Sequence, residues 1–318
     1  MKVVSRLMAM ACALFMLGVV FTACDDDNDP DVTLPEIGVN LKNPSNGWRT
    51  ALGYYAQNSL NQSNVPYVLT TGKDAAQQRN QIEMAVKMGC KVLIIAPEDS
   101  KNTVTAEAIN FAIKNRVAVV MSEDVPDAVT DYACLVKFDN RKVGENAGEY
   151  VAGKGAKNVV IFNIKQDLAS STPRVSGFKS KLGAGVNQKT YDLDMYTRME
   201  GKKYAKIAME TDATIDAIYA QDDEVALGVM DAVKEMNNSS VKVVVGCGGA
   251  QSFFDMISSE QSVSLATTLY SPKTLMEKSV EAALGLLKGV QPEKTIVLEP
   301  TIVDSKNVNT YRDMASPY

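Results

Sequence analysis

The chain reads as an α/β protein built on parallel sheets covered on both faces by helices. Three observations predict this. From Glu36 onward, short β-branched runs alternate with longer amphipathic stretches. The strand-like runs are almost continuously apolar instead of alternating, the pattern of strands buried on both sides. No Pro/Gly/Ser-rich linker divides residues 36–318, so any lobes must be joined by short crossings of ordered chain. The 318 residues suit two domains of roughly 100–200 residues each.

The elements follow in order. Residues 1–23 read as an export leader: Lys2 and Arg6 precede an apolar run over 7–21, short of the roughly 20 residues a spanning helix needs. Phe21-Thr22-Ala23-Cys24 resembles a bacterial lipobox, which implies cleavage before Cys24 and lipidation there. The acidic residues 24–35 cannot pack and read as a tether. Strands are expected at 36–40, 65–69, 92–96, 117–121, 131–138, 158–163, 216–220, 241–246, 263–267 and 295–298. Helices are expected at 74–88, with Ile82, Ala85 and Val86 on one face, and at 103–115, with Val104, Ala108, Phe111 and Ala112. Two more fall at 224–236 and 274–288, and a further helix contains Val143 to Val151.

Composition excludes several chemistries. There is no histidine, hence no Ser-His-Asp or Cys-His nucleophile pair and no histidine-ligated zinc. A formal charge of −5, without a basic block, argues against gripping phosphate backbones, so no nucleic-acid partner is expected. Cys12 leaves with the leader and Cys24 takes lipid; Cys90, Cys134 and Cys247 are an odd set beside strand-like runs and are expected as buried free thiols.

Two motifs imitate sites. Asp25, Asp27, Asp29 and Glu36 fall at calcium-loop positions, but Pro30 stands where that loop needs Gly and no helix precedes it. Gly246-Cys247-Gly248-Gly249 follows a strand, yet Gln251 breaks the dinucleotide fingerprint, leaving a tight turn that needs positive φ. Neither metal nor cofactor is expected.

Open α/β sheets bind ligands beyond the carboxyl ends of their strands. Polar clusters stand there at Asn40 and Asn43, at Glu98-Asp99-Ser100, at Ser122-Glu123-Asp124, at Asp139-Asn140-Arg141 and at Gln221-Asp222-Asp223-Glu224. Asp99 and Asp223 read as helix N-caps, and Asp139 can cap the following helix. Trp48, the single tryptophan, follows the first strand and suits either core packing or stacking on a sugar face.

Four stretches then carry a likeness. Leu93-Ile94-Ile95-Ala96-Pro97-Glu98-Asp99-Ser100 leads through a helix to Val117-Ala118-Val119-Val120. Phe138-Asp139-Asn140 leads to Gly144 and Ala147-Gly148-Glu149-Tyr150. Arg174-Val175-Ser176-Gly177-Phe178 resembles an R-x-x-G-F helix start, and Ile218-Tyr219-Ala220-Gln221-Asp222-Asp223-Glu224-Val225-Ala226-Leu227-Gly228 completes the set. In this order, over about residues 36–309, they resemble the type I periplasmic solute-binding proteins, ribose/galactose-binding branch. They also resemble the regulatory cores of LacI-type repressors, which carry an N-terminal helix-turn-helix where this chain has a lipobox and a tether.

The resemblance implies two Rossmann-like lobes joined by a three-crossing hinge near 138–139, 270–271 and 293–295. The lobes would be 36–138 plus 271–293 and 139–270 plus 294–318, with ligand bound in a cleft that closes by hinge motion. Asn43 stands where the family places a sugar-contacting Asn; Trp48 lies close to its aromatic pair, and Tyr196 at an aromatic position of the other lobe. Asp222 stands where ribose binders use Asn, and Glu123-Asp124 replaces Asp-Arg. Thr172 falls where a ligand-binding Arg is expected, and Arg174 matches a second Arg. Gly248 replaces a hydroxyl-gripping Asp, and Tyr270 a Gln. Asn40 and Asp139 complete the expected binding set; no residue is expected to be catalytic. Two arginines lost while Glu123, Asp124 and Asp222 stay implies an acceptor-rich, negative site, suited to donors and hostile to anions.

The expected function is a lipid-anchored solute-binding protein of the cell envelope. It would act as a monomer that delivers a small sugar or polyol to an ABC-type permease or a sensor. Alternatives are a binder of an amine-bearing or furanosyl signal molecule, and a surface glycan-interaction lipoprotein without a permease. Glycoside hydrolysis by paired acids is the enzymatic alternative; the resemblance supplies no such chemistry.

Overall fold

The computed structural model describes residues 33–165, 168–259 and 262–318. The leader, Cys24 and the acidic stretch through residue 32 lie outside the described residues. The chain forms two compact units. One takes residues up to Ser45, Arg49–Lys137 and Pro272–Ile296; the other takes Asn46–Trp48, Phe138–Ser271 and Val297–Tyr318.

In the first unit β1 (Ile37–Leu41), α1 (Gly47–Asn61, whose first two residues belong to the second unit), β2 (Tyr67–Thr71), α2 (Ala75–Lys87), β3 (Val92–Ile95), α3 (Thr103–Lys114), β4 (Ala118–Ser122) and β5 (Cys134–Phe138) follow one another. The chain returns later with α9 (Pro272–Leu287) and β11 (Thr295–Leu298). The sheet order is β11-β5-β4-β3-β1-β2, and β2, β1, β3, β4 and β5 pair in parallel. Leu93, Ile95, Val119 and Met121 pack with Ile82 of α2 and Ile109 of α3 into a buried cluster on one face. The Asp74 carboxylate accepts from the Gln77 N–H at 2.8 Å and caps α2. Asn102, not Asp99, caps α3, accepting from Val104 N–H at 2.8 Å; Asp99 instead accepts from Lys101 in the preceding turn. Both side chains can close local turns, and the helix begins three residues later than Asp99 requires.

The second unit contains α4 (Asn140–Gly153), β6 (Asn158–Ile164), α5 (Leu168–Ser180), β7 (Asn187–Leu193), α6 (Arg198–Thr211) and β8 (Ala217–Ala220). It continues with α7 (Asp223–Glu235), β9 (Val243–Gly248), α8 (Gln251–Ser258), β10 (Ser264–Leu269), β12 (Thr301–Asp304) and α10 (Val308–Tyr311). Its order is β12-β10-β9-β8-β6-β7, parallel except for β12, which runs antiparallel to β10. Phe162, Ile218 and Val244 join Ala205, Val225 and Phe253 in one core cluster, and Phe178 stacks on Tyr219 in another.

Two strands, β7 and β12, are not marked by the sequence pattern. Both are sheet edges: most side chains of β7 are exposed, and β12 follows Pro300 directly. Edge strands lack the double burial that makes a strand legible as an apolar run. The R-x-x-G-F segment does not start its helix. The helix begins at Leu168 and continues through Pro173, leaving Arg174 in its interior. Cys90, Cys134 and Cys247 are free and buried, as expected.

Candidate functional site

In the first unit, three neighbouring strands deliver polar residues at their carboxyl ends. Lys42 follows β1, Glu98 lies just beyond β3 and Glu123 follows β4. Lys42 Nζ meets a Glu123 carboxylate oxygen at 2.7 Å with both side chains largely shielded, while the other Glu123 oxygen is buried without a partner. Glu123 holds φ of 73°, a left-handed conformation that a residue of this size adopts only where its surroundings enforce it. Glu98 accepts from the Asn43 N–H at 2.8 Å, and fully buried Gln78 bridges the Ala96 carbonyl and the Glu98 N–H at 2.9 and 2.8 Å. The loops after β1 and β3 are thereby fixed before any ligand arrives. Asp124 accepts from the N–H of Val125.

At Glu123 the structure departs from the acceptor-rich, negative site expected from the sequence. Lys42, absent from the expected set, pairs with Glu123 and compensates its charge. Asn40 also departs from expectation. Its amide donates to Thr70 and Gln81, both at 2.9 Å, tying β1 to β2 and α2. Its backbone lies within the strand, so its side chain belongs to the sheet's flank and holds elements together.

In the second unit, the Asp222 carboxylate accepts from Glu224 and Val225 N–H groups and caps α7. Asp223, expected as that cap, is instead fully buried. One of its oxygens accepts from Gly249 and Ala250 N–H at 2.6 and 2.7 Å, the other from the Thr267 hydroxyl at 2.7 Å. It braces the turn at Gly248 and Gly249, whose φ values of 141° and 109° meet the positive-φ requirement read from the sequence. Burial, with Asp223 adjacent, pushes the Asp222 carboxyl up to about 8. Burial also lifts Asp223, to about 6, against the opposing pull of its donors. Gln221, 1% exposed, has neither its amide nitrogen nor its amide oxygen paired.

An aromatic group stands beside these acids. The Trp48 ring lies 5.1 Å from the Tyr270 ring, and its indole N–H donates to the Tyr270 carbonyl at 2.9 Å. The Arg174 guanidinium sits 4.3 Å over the Tyr270 ring centre and donates to Asn140 Oδ1 at 2.9 Å. A guanidinium over a tyrosine face gains from the ring quadrupole, more so when desolvated. Trp48 and Tyr270 are both buried, and Tyr270 packs against Phe138 as well.

The remaining expected residues divide. Tyr196 is half-buried against the core cluster, and its phenol acts electrostatically on Arg174. Asp139 is exposed and caps α4, accepting from Arg141 and Lys142 N–H groups. Thr172 is exposed two residues before Arg174 on α5, a spacing that puts the two on different faces. The sequence reading did not single out Lys42, Gln221 or Asn140 as site residues, although each is polar and close to the carboxyl end of a strand. Tyr318 gave no signal, because only the fold returns it to β9.

Comparison with known proteins follows this geometry. Residues 37–291 match the family described as periplasmic binding protein domain, and the chain belongs to that family, in its type I, ribose/galactose-like form. The ribose import binding protein of Bacillus subtilis is 28% identical over 238 residues, covering 72% of this chain and 73% of the relative. Among solved structures, an ABC transporter solute-binding protein of Actinobacillus succinogenes with bound D-allose aligns with a TM-score of 0.79 at 17% identity, over 87% of this chain and 100% of that one. The Caulobacter myo-inositol binding protein aligns at 0.77 and 21% identity, over 89% and 97%. These relatives are binding proteins, not enzymes.

Proposed function

We propose that this chain captures a small neutral sugar or polyol at the carboxyl ends of its strands and hands it to an ABC-type permease. We further propose that Cys24 anchors it by lipid in the cell envelope. The observation that carries the ligand reading is Gln221. An amide buried at a strand end with neither atom paired carries a desolvation cost of roughly 1–3 kcal/mol. A polyhydroxylated ligand, offering both donors and acceptors, relieves it. Family membership and relatives named for ribose, allose and inositol support the same class.

Neutral ligands are favoured over amines by two further features. Glu123 already has a cation in Lys42, so it does not call for a second one. Asp222, lifted to about 8, is largely protonated at neutral pH and can donate as well as accept towards a hydroxyl. Binding roles for Asn43, Glu123, Asp124, Arg174, Tyr196 and Tyr270 belong to this proposal.

The test is calorimetric titration of the full-length chain, in detergent, with neutral sugars and inositols. Gln221→Leu removes both amide functions, and weakening of the best ligand by roughly tenfold or more is expected. Unchanged affinity would sink the assignment of Gln221. Saturable binding of a sugar phosphate in preference to every neutral compound would sink the ligand class.

A further inference from the structure

The segment ending at Tyr318 folds back onto the amino end of α8. Gln251 holds it twice: its side-chain oxygen accepts from Asp313 N–H at 2.8 Å, and its own N–H donates to the Tyr318 carbonyl at 3.1 Å. Ser316 adds a hydroxyl bond to the same carbonyl at 2.9 Å. So anchored, the Tyr318 ring occupies a slot that two glycines leave open. A Cβ on Gly47 would come within 2.7 Å of the ring, and one on Gly248 would collide with the phenol oxygen. Gly248 is where the sequence resemblance expects a hydroxyl-gripping Asp.

The phenol oxygen is buried and has no hydrogen-bond partner. It lies within electrostatic range of Asp222, Asp223 and Tyr270, and burial followed by those two acids holds its pKa well above the ordinary value. The hydroxyl is therefore a donor at any working pH. A tail that merely plugged the site would be expected to pair this donor with a nearby acid and so satisfy the pocket. Here the phenol and the Gln221 amide are both left open.

We propose that Tyr318 is a ligand-contacting, specificity-determining residue. Its hydroxyl would bond a sugar hydroxyl from beside the Gly248 backbone, where the absence of a side chain leaves room for the ring. The inference rests on the sugar-binding reading above and adds a residue to that site.

The experiment titrates the tightest-binding neutral sugar, and its deoxy analogues, against the full-length wild type, Tyr318→Phe and Tyr318→Ala. Tyr318→Phe keeps the ring in its slot and is expected to bind the sugar roughly three- to tenfold more weakly. The free variant should melt no lower than wild type, since it loses only an unpaired hydroxyl. One deoxy analogue should bind both proteins equally, which identifies the contacted hydroxyl. Wild-type binding with unchanged affinity in Tyr318→Phe overturns the inference alone. Tighter binding by Tyr318→Ala also overturns it, and shows the ring to be a competitor for the site. A wild type that binds no sugar overturns the sugar reading, and this inference with it.

Discussion

Asp222 has two roles that pull in opposite directions. As an N-cap it satisfies two amide groups at the start of α7, and as a buried acid beside Asp223 it resists ionisation. Its folded pKa, about 8, stands above the value near 4 of an unfolded aspartate. The folded chain therefore holds a proton that the unfolded chain releases. This contribution is complete below about pH 4, falls as pH rises, and is gone above about pH 8. Asp223 adds a parallel fall that ends near pH 6. Asn caps a helix about as well as Asp does. Asp222→Asn should thus raise the melting temperature at pH 8, leave it unchanged at pH 4, and flatten the profile between 6 and 8. Melting curves across that range check this, and an Asn variant that melts lower at pH 8 would refute it. The Lys42–Glu123 pair provides a second test at this scale. Lys42→Met strands a largely buried carboxylate, for a loss on the order of 3 kcal/mol in denaturant unfolding; adding Glu123→Gln should recover most of it.

Among the elements, the motif glycines are explained by helix packing. A Cβ on Gly144 of α4 would strike the Arg174 carbonyl of α5, and one on Gly177 of α5 would strike the Arg141 carbonyl of α4. The same reciprocal exchange joins α6 and α7 through Gly201 and Gly228. Backbone thus packs on backbone at both crossings, and the first crossing also fixes Arg174 against Asn140 and Tyr270. Gly177→Ala must push α4 and α5 apart, so a loss of about 1–3 kcal/mol is expected, together with weaker ligand binding as Arg174 shifts. Full stability in that variant would contradict the close packing. The glycine spacing was visible in the sequence as a family likeness, but the collision it avoids was not, because it involves helices paired only in the fold. Edge strands β7 and β12 were illegible for a related reason: their order comes from a neighbour, not from their own apolar pattern.

On the scale of the whole molecule, the doubly covered parallel sheets were legible because most central strands are almost continuously apolar. The site was legible in outline only. Strand-end clusters pointed to Asp222, Glu123 and Asn43, whereas Lys42's compensation of Glu123, Asp223's brace and the return of Tyr318 depend on contacts far apart in sequence. Asn40 misled, since strand alternation turns its side chain to α2, away from the strand end. Anchoring is tested separately: labelled fatty acid should be incorporated into the wild-type chain in cells and not into Cys24→Ser. Equal labelling of both would reject Cys24 as the lipid site.

The most direct measurement is a thermal-shift panel on the full-length chain in detergent, with pentoses, hexoses, inositols, amino sugars, polyamines and sugar phosphates. A ligand at a hundred times its dissociation constant stabilises by about 2.7 kcal/mol, enough to move the melting temperature visibly. Neutral sugar capture predicts a shift with at least one pentose, hexose or inositol, greatly reduced in Gln221→Leu. A shift confined to amines or phosphates, or none across the panel, would contradict it.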